Sequence, residues 1–196
     1  MSIGVDKLRI SADYFLLEKL RAHHSETYYH SLRVSNLCLQ ISRFLGWQYR
    51  DSFLVWRSGQ LHDIGKIYVP HQLLSFPGPL EPEQYERVKN HVTLGAELLK
   101  RYRVNVEIVQ AVIGHHERED GSGYPDGRLD QTESSKLLAV CDVFDAMTEV
   151  RAYRKAVKPM DVIEMMENGQ LGYLNKKYIS ALMNLVIDRK NIAKID

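Results

Sequence analysis

Cysteine is scarce in this sequence: Cys38 and Cys141 are the two thiols in 196 residues. One pair makes no disulfide framework, and without further thiolates a structural zinc knot is excluded. Both lie in apolar-periodic segments, where they serve as small hydrophobes in a reducing compartment. An excess of either charge is missing too. Lysine and arginine total 26 against 25 aspartates and glutamates, for a formal net charge of +1. That balance leaves no global footprint for a nucleic-acid polymer or an anionic membrane, so any phosphate recognition has to be built locally. Long apolar runs are absent. The longest charge-free run is the 14 residues from Ile67 to Leu80; it contains three prolines and a histidine, whereas a membrane span needs about 20 apolar residues. Met1 to Ile10 has no apolar core for a secretory signal, so the expected location is the cytoplasm. Internal repeats, low-complexity segments and strand-like alternation are also lacking.

What is present is helical periodicity. A composition of 44% hydrophobic and 26% charged residues is that of a globular chain, long enough for one sizeable core. Val34, Leu37, Cys38, Ile41, Phe44 and Leu45 fall on one stripe at three- and four-residue intervals. Asp51 is expected to cap a helix through Phe53, Leu54 and Leu61, with Gly65 as its stop. Pro82 suits a first helical turn, and the pattern then runs past His91 to about Arg101. Asn105 caps a helix carrying Val109, Val112, Ile113 and His116. Glu133 to Val150 repeats the pattern with Leu137, Leu138, Cys141, Phe144 and Met147, and shorter helices follow Pro159 and Asn175. Ile67–Leu80 and Asp120–Arg128 read as loops. The fold class is an all-α bundle: one domain over residues 23–196, with residues 1–22 as an N-terminal helical appendage. No sensory domain fits before Ser25, so the expectation is a free-standing protein or an excised output domain.

The chemistry-bearing residues fall at the helix ends and on the inward stripes. His62-Asp63 stands at a helix end, where both side chains can turn to one point and a carboxylate with two oxygens can bridge two cations; a plain polar helix terminus is the competing reading. His30 lies on the inward stripe four residues before Val34, with Glu26 one turn earlier, and a buried carboxylate requires a partner. A core histidine hydrogen-bonded to a neighbour explains His30 equally well. His115-His116 is a second adjacent pair, of which one faces the core and the other solvent unless something constrains both. His91 is unremarkable alone. Asp142 and Asp145 are one turn apart in a helix otherwise apolar near them; either can be a helix-terminus or salt-bridge residue, and Asp145 either orients a ligand histidine or makes a plain packing contact. His23, His24 and His71 read as solvated. Imidazoles and carboxylates without thiolate pairs suit Fe, Mn, Co, Ni or Zn in catalysis. Two ions about 3.5–4 Å apart are a standard device for phosphoryl chemistry. Arg151, Arg154, Lys155 and Lys158 fall at helical spacing, as a phosphate-binding face or a solvated basic one.

Taken in order, these residues resemble the HD-GYP family, a branch of the HD-domain phosphohydrolases, over about Leu20 to Ile187. The match is carried by His62-Asp63-Ile64-Gly65-Lys66, Phe76-Pro77-Gly78-Pro79-Leu80, His91 with Gly95, and His115-His116-Glu117-Arg118. Asp120-Gly121-Ser122-Gly123-Tyr124-Pro125 and Asp142-Val143-Phe144-Asp145-Ala146 complete it. The resemblance implies a helical bundle of the HD-domain type with a metal cluster in its core. It implies hydrolysis of a cyclic dinucleotide, most simply cyclic di-GMP, to pGpG or GMP. His30, His62, Asp63 and Asp142 would surround one metal, with Asp63 bridging to a second held by His91, His115 and His116. Glu26 matches an acidic position that admits a third. Iron or manganese is the implied metal, with nickel, cobalt or zinc as substitutes. Lys66 would touch the scissile phosphate beside Asp63, and Arg151, Arg154, Tyr124 and Pro125 would contact the dinucleotide. The Gly-Tyr-Pro loop is read as a groove rim or a docking surface for a signalling protein. Ala152, Glu119 and Phe76 depart from the family pattern and alter loop shape and charge near the groove. Two other readings remain at this point: a phosphohydrolase of another nucleotide, cyclic GMP-AMP included, and a non-catalytic binding module.

Overall fold

A computed structural model describes residues 3–150 and 155–192, with side chains described for 12–150 and 155–188. Ten α-helices follow in order among the described residues: α1 (Ile3–His23), α2 (Ser25–Phe44), α3 (Tyr49–Leu61), α4 (His71–Leu74) and α5 (Pro82–Lys89), then α6 (His91–Arg101), α7 (Val106–Gly114), α8 (Glu133–Thr148), α9 (Pro159–Glu167) and α10 (Lys176–Ile192). A 3₁₀ turn, Ile64–Tyr68, links α3 to α4. No strand forms among the described residues, and none of their helices is long and apolar enough to cross a membrane.

Two apolar clusters hold the bundle. Val34, Cys38 and Ile41 of α2 meet Leu137, Leu138 and Cys141 of α8, with Ile163 of α9 and Tyr178 and Leu182 of α10 closing over them. Leu61, Ile64, Leu99, Ile108 and Val112 form the second, together with Leu16, Leu17 and Leu20 of α1, a segment expected to be an appendage. Each fully buried Leu or Ile contributes about 1.5–3 kcal/mol. That surplus lets the fold bury polar and charged groups which by themselves oppose folding.

Local signals fix several helix ends. The Asn105 side chain accepts the Glu107 N–H at 2.8 Å, and Thr132 accepts the Ser135 N–H at 3.1 Å. Other boundaries differ from the periodicity reading. Gln48, not Asp51, precedes α3, and Asp51 sits in the first turn, where its charge faces the positive helix end. Helix α3 stops at Leu61 rather than at Gly65, which belongs to the 3₁₀ turn. The expected single helix from Pro82 to Arg101 is two, broken at Asn90. A Cβ on Gly65 would lie 1.9 Å from the His91 carbonyl oxygen, so the break falls where the turn after Asp63 packs on the start of α6. The helix after Asn175 has 17 residues and is not short. Phe44, placed on the inward stripe, is 51% exposed. Lys155 and Lys158 precede α9 in non-helical backbone, so the basic helical face does not form there. Arg151 and Arg154 lie outside the described residues.

Candidate metal centre

Three of the candidate histidines share one local device. The Nδ1–H of His62 donates to the Gly59 carbonyl at 2.8 Å, that of His91 to Val88 at 2.7 Å, and that of His115 to Val112 at 2.5 Å. In each case the acceptor is three residues back, where a helix end leaves carbonyls free. This fixes the tautomer and turns Nε2 inward. All three Nε2 atoms are buried without a hydrogen-bond partner. A buried acceptor left unsatisfied costs about 1–3 kcal/mol, so three of them turned on one region mark a place built for a cation.

Carboxylates stand in the same region. Asp63 Oδ1 is 3.3 Å from His91 Nε2, while Oδ2 is 3.4 Å from His62 Nε2 and 3.8 Å from His30 Nε2. The two oxygens thus face two different sets of imidazoles. Asp142 Oδ1 lies 2.9 Å from His30 Nε2 and 3.7 Å from His62 Nε2. Three overlapping groups emerge, each with ligand atoms within 4.8 Å of one another: His91, His115 and His116; His30, His62 and Asp63; His62, His115 and Asp142. Both residues of the His115-His116 pair therefore turn to the centre, the case in which a shared constraint keeps either from facing solvent.

The electrostatics of His91, His115 and His116 agree with the geometry. Burial pushes the His91 imidazole down to about 4 and His115 to about 3, and holds His116 well below its usual range. These rings are neutral near pH 7, as ligands must be. Burial also disfavours a charged His62, yet Asp63 and Asp142 outweigh it and raise His62 to about 10, so this ring has to release its Nε2 proton to act as a ligand. Asp63 and Asp142 stay ionised against the cost of burial: Lys66 and His62 hold Asp63 well below the carboxylate range, and His30 and His62 do the same for Asp142. The residues present fit one or more divalent ions bound by nitrogen and oxygen.

A further set of contacts braces this centre. Asp145, whose role the sequence leaves open, accepts the His30 Nδ1–H at 2.7 Å and a forked pair from Arg33 at 2.9 and 3.0 Å. Lys66 donates to Asp63 Oδ2 at 2.7 Å and, with His24, Glu26, Thr27, His30 and Arg33, lines a cavity of about 280 Å³. Glu26 is exposed on the rim of that cavity; the argument that it must be paired because it is buried does not apply. His24, read as solvated, is buried and caps α2 by accepting the Thr27 N–H at 3.2 Å. His23 is half-buried and hydrogen-bonds the Val69 carbonyl at 2.9 Å; His71 is exposed as expected.

The Gly-Tyr-Pro loop closes the other side. Tyr124 stacks on His116 with ring centroids 4.6 Å apart and planes at 23°. Gly123 packs so tightly on residues 116–118 that a Cβ would lie 2.4 Å from the Glu117 Cα. Sequence reasoning missed Glu117 as a site residue. Its buried carboxylate accepts the amide N–H groups of Asp126 and Arg128, both at 2.9 Å, and no spacing rule links it to amides nine and eleven positions on. Glu117→Gln replaces an acceptor pair with a single acceptor and a donor. Its expected cost is about 1–3 kcal/mol, read as a lower melting temperature, together with a higher KM from a loosened loop.

The family model described as HD domain matches residues 15–176. The chain belongs to the HD domain family. This HD domain is 36% identical over 170 residues to a cyclic di-GMP phosphodiesterase of Pseudomonas aeruginosa, covering 84% of this chain and 40% of that protein. It is 31% identical over 173 residues to 3′3′-cGAMP-specific phosphodiesterase 1 of Vibrio cholerae, covering 85% of this chain and 39% of that one. The chain thus spans well under half the length of these relatives. Among solved structures, an HDGYP protein from Bdellovibrio bacteriovorus superposes with a TM-score of 0.69 at 20% identity, covering 81% of this chain and 52% of that one. The HD domain of the L. monocytogenes phosphodiesterase PgpH gives 0.66 at 19% identity over 91% and 98%. The fold is the all-α HD bundle, and the HD-GYP resemblance of the sequence stands.

Proposed function

We propose that this HD domain is a metal-dependent phosphodiesterase that hydrolyses a cyclic dinucleotide, cyclic di-GMP, in the cytoplasm. One observation carries the reading: three inward-facing imidazole nitrogens without partners, those of His62, His91 and His115, converge where Asp63 sets one oxygen 3.4 Å from His62 and the other 3.3 Å from His91, beside a cavity that Lys66 lines. His30, His62, Asp63 and Asp142 would hold one ion, and Asp63, His91, His115 and His116 a second. Iron or manganese suits this mixture of nitrogen and oxygen donors. Such ions supply a hydroxide nucleophile near neutral pH and draw charge from the departing oxygen.

The chain's own residues do the rest. Asp63 offers one oxygen to each imidazole set and so fixes their spacing. Lys66 presents its ammonium to a phosphoryl oxygen whose charge grows in the transition state. Asp145 keeps the His30 Nδ1–H occupied and so turns Nε2 inward, where it meets Asp142. Tyr124, stacked on His116, shields that side of the centre from water; with Pro125, Arg151 and Arg154 it completes the dinucleotide site, and its loop remains the candidate surface for a protein partner.

The 3′3′-cGAMP-specific relative in Vibrio cholerae supports a second reading, in which cyclic GMP-AMP is the substrate. The test is elemental analysis joined to product analysis with cyclic di-GMP and 3′3′-cGAMP side by side. The expected result is metal-dependent release of pGpG or GMP, faster from cyclic di-GMP. A fully metallated chain that binds either dinucleotide without cleaving it would leave only a binding module.

Glu26, one turn before His30 and on the cavity rim, is the residue we read as the ligand of a third ion. Elemental analysis of Glu26→Ala beside the parent is expected to show one ion fewer. Equal counts would make the centre dinuclear and Glu26 a rim residue.

A further inference from the structure

His30 is anchored differently from the other imidazoles of the centre. His62, His91 and His115 each lean on a carbonyl three residues back at a helix boundary. His30 lies inside α2, past its first turn, where the preceding carbonyls are committed to the helix. Its Nδ1–H must therefore find an acceptor on another element, and it finds Asp145 of α8 at 2.7 Å. A carboxylate in mid-helix has rotamers of its own, so the anchor is only as firm as whatever holds Asp145. That is Arg33, three residues after His30 on α2. Its Nε reaches Asp145 Oδ1 at 2.9 Å and its Nη2 reaches Oδ2 at 3.0 Å. The three side chains close a triangle across the α2–α8 seam, and its far corner aims His30 Nε2 at Asp142 Oδ1, 2.9 Å away.

Arg33 is not an ordinary surface ion pair. Its side chain is 41% exposed, but the Asp145 carboxylate is 5% exposed, and a fork on a buried carboxylate imposes a geometry that a lone ammonium does not. The pair with Glu149 at 3.7 Å is loose and lies on the exposed side, where such pairs contribute about 0–1 kcal/mol.

We propose that Arg33 is a positioning residue of the metal centre, acting through its bidentate hold on Asp145 to fix the ring of His30. The inference rests on the metal-centre reading above, and its test separates the two. The full chain, stripped of metal, is titrated with Mn²⁺ in the parent, Arg33→Met, Arg33→Lys, Asp145→Asn and the Arg33→Met/Asp145→Asn double variant. Loss of such a bracing contact weakens metal binding by about 10–100-fold, and that fall is expected in all three single variants, the lysine included because it keeps the charge without the fork. The double variant is expected to fall no further than Asp145→Asn, because the two residues act along one line of contacts. Parent-like Mn²⁺ affinity in both Arg33 variants, or losses that multiply in the double variant, overturns the proposal. Arg33 also lines the cavity, so KM is measured in parallel. A raised KM with unchanged Mn²⁺ affinity would assign Arg33 to substrate contact instead. A parent chain that binds no Mn²⁺ sinks the metal centre itself, whatever the variants do.

Discussion

Asp63→Asn is expected to lose most of its bound metal and to lower turnover by about 10³-fold or more, the scale at which charge stabilisation in a closed site is lost. Asparagine keeps the shape and one oxygen but removes the charge that Lys66, His62 and His91 all face. Asp142 lies near His30, His62 and His115, whereas the group of His91, His115 and His116 contains no carboxylate of its own and Asp63 stands 3.3 Å from His91. An ion among those three histidines is therefore expected to take Asp63, which faces His91, as its carboxylate ligand. Elemental analysis of the purified variant, paired with product formation from cyclic di-GMP, is the measurement. Retention of two ions per chain would remove Asp63 from the bridge. Retained activity with the metal lost would remove the metal from the reaction.

The centre was largely legible because its parts are punctuated by helix ends. His62-Asp63 and His115-His116 each follow a run of apolar period, and adjacency at a helix terminus lets both side chains converge. His30 was legible for the opposite reason, as a polar residue on an inward stripe. What the sequence hid were contacts between elements distant in the chain. Arg33 and Asp145 are 112 residues apart, and His30 and Asp145 are 115 apart, so no local period ties them. Glu117 reads as one more acidic residue until the loop folds back on it. Glu26 shows the converse error: four-residue spacing put it on the inward face, yet at the first turn of α2 that face opens on the cavity rim instead of the core. The break at Asn90 is not legible because both flanking segments keep helical period; it falls beside Gly65, which packs on the His91 carbonyl from another part of the chain.

Lys66→Met should lower kcat by about 10²–10³-fold while moving KM by only a few-fold, the pattern of an interaction made chiefly in the transition state. The argument begins with the backbone. The Lys66 N–H donates to the Asp63 carbonyl at 2.9 Å, which ties the lysine into the turn that carries Asp63. Its ammonium sits 2.7 Å from Asp63 Oδ2, and the side chain is 19% exposed, against 2% for Asp63. It therefore stands between the centre and the cavity, where it can exchange its carboxylate contact for a phosphoryl oxygen without moving its anchor. Ground-state binding draws on the wider cavity and on the Gly-Tyr-Pro side, so affinity should persist. The rival account makes Lys66 a counter-ion that merely keeps Asp63 ionised. Bound metal supplies that same charge, so on our reading Lys66→Met keeps its full complement of ions, whereas on the rival account ions leave with the lysine. Elemental analysis, equilibrium dinucleotide binding and steady-state kinetics on one preparation decide between them. Slow turnover with full metal and intact binding supports a charge aimed at the transition state, and parent-like turnover would take Lys66 out of the chemistry.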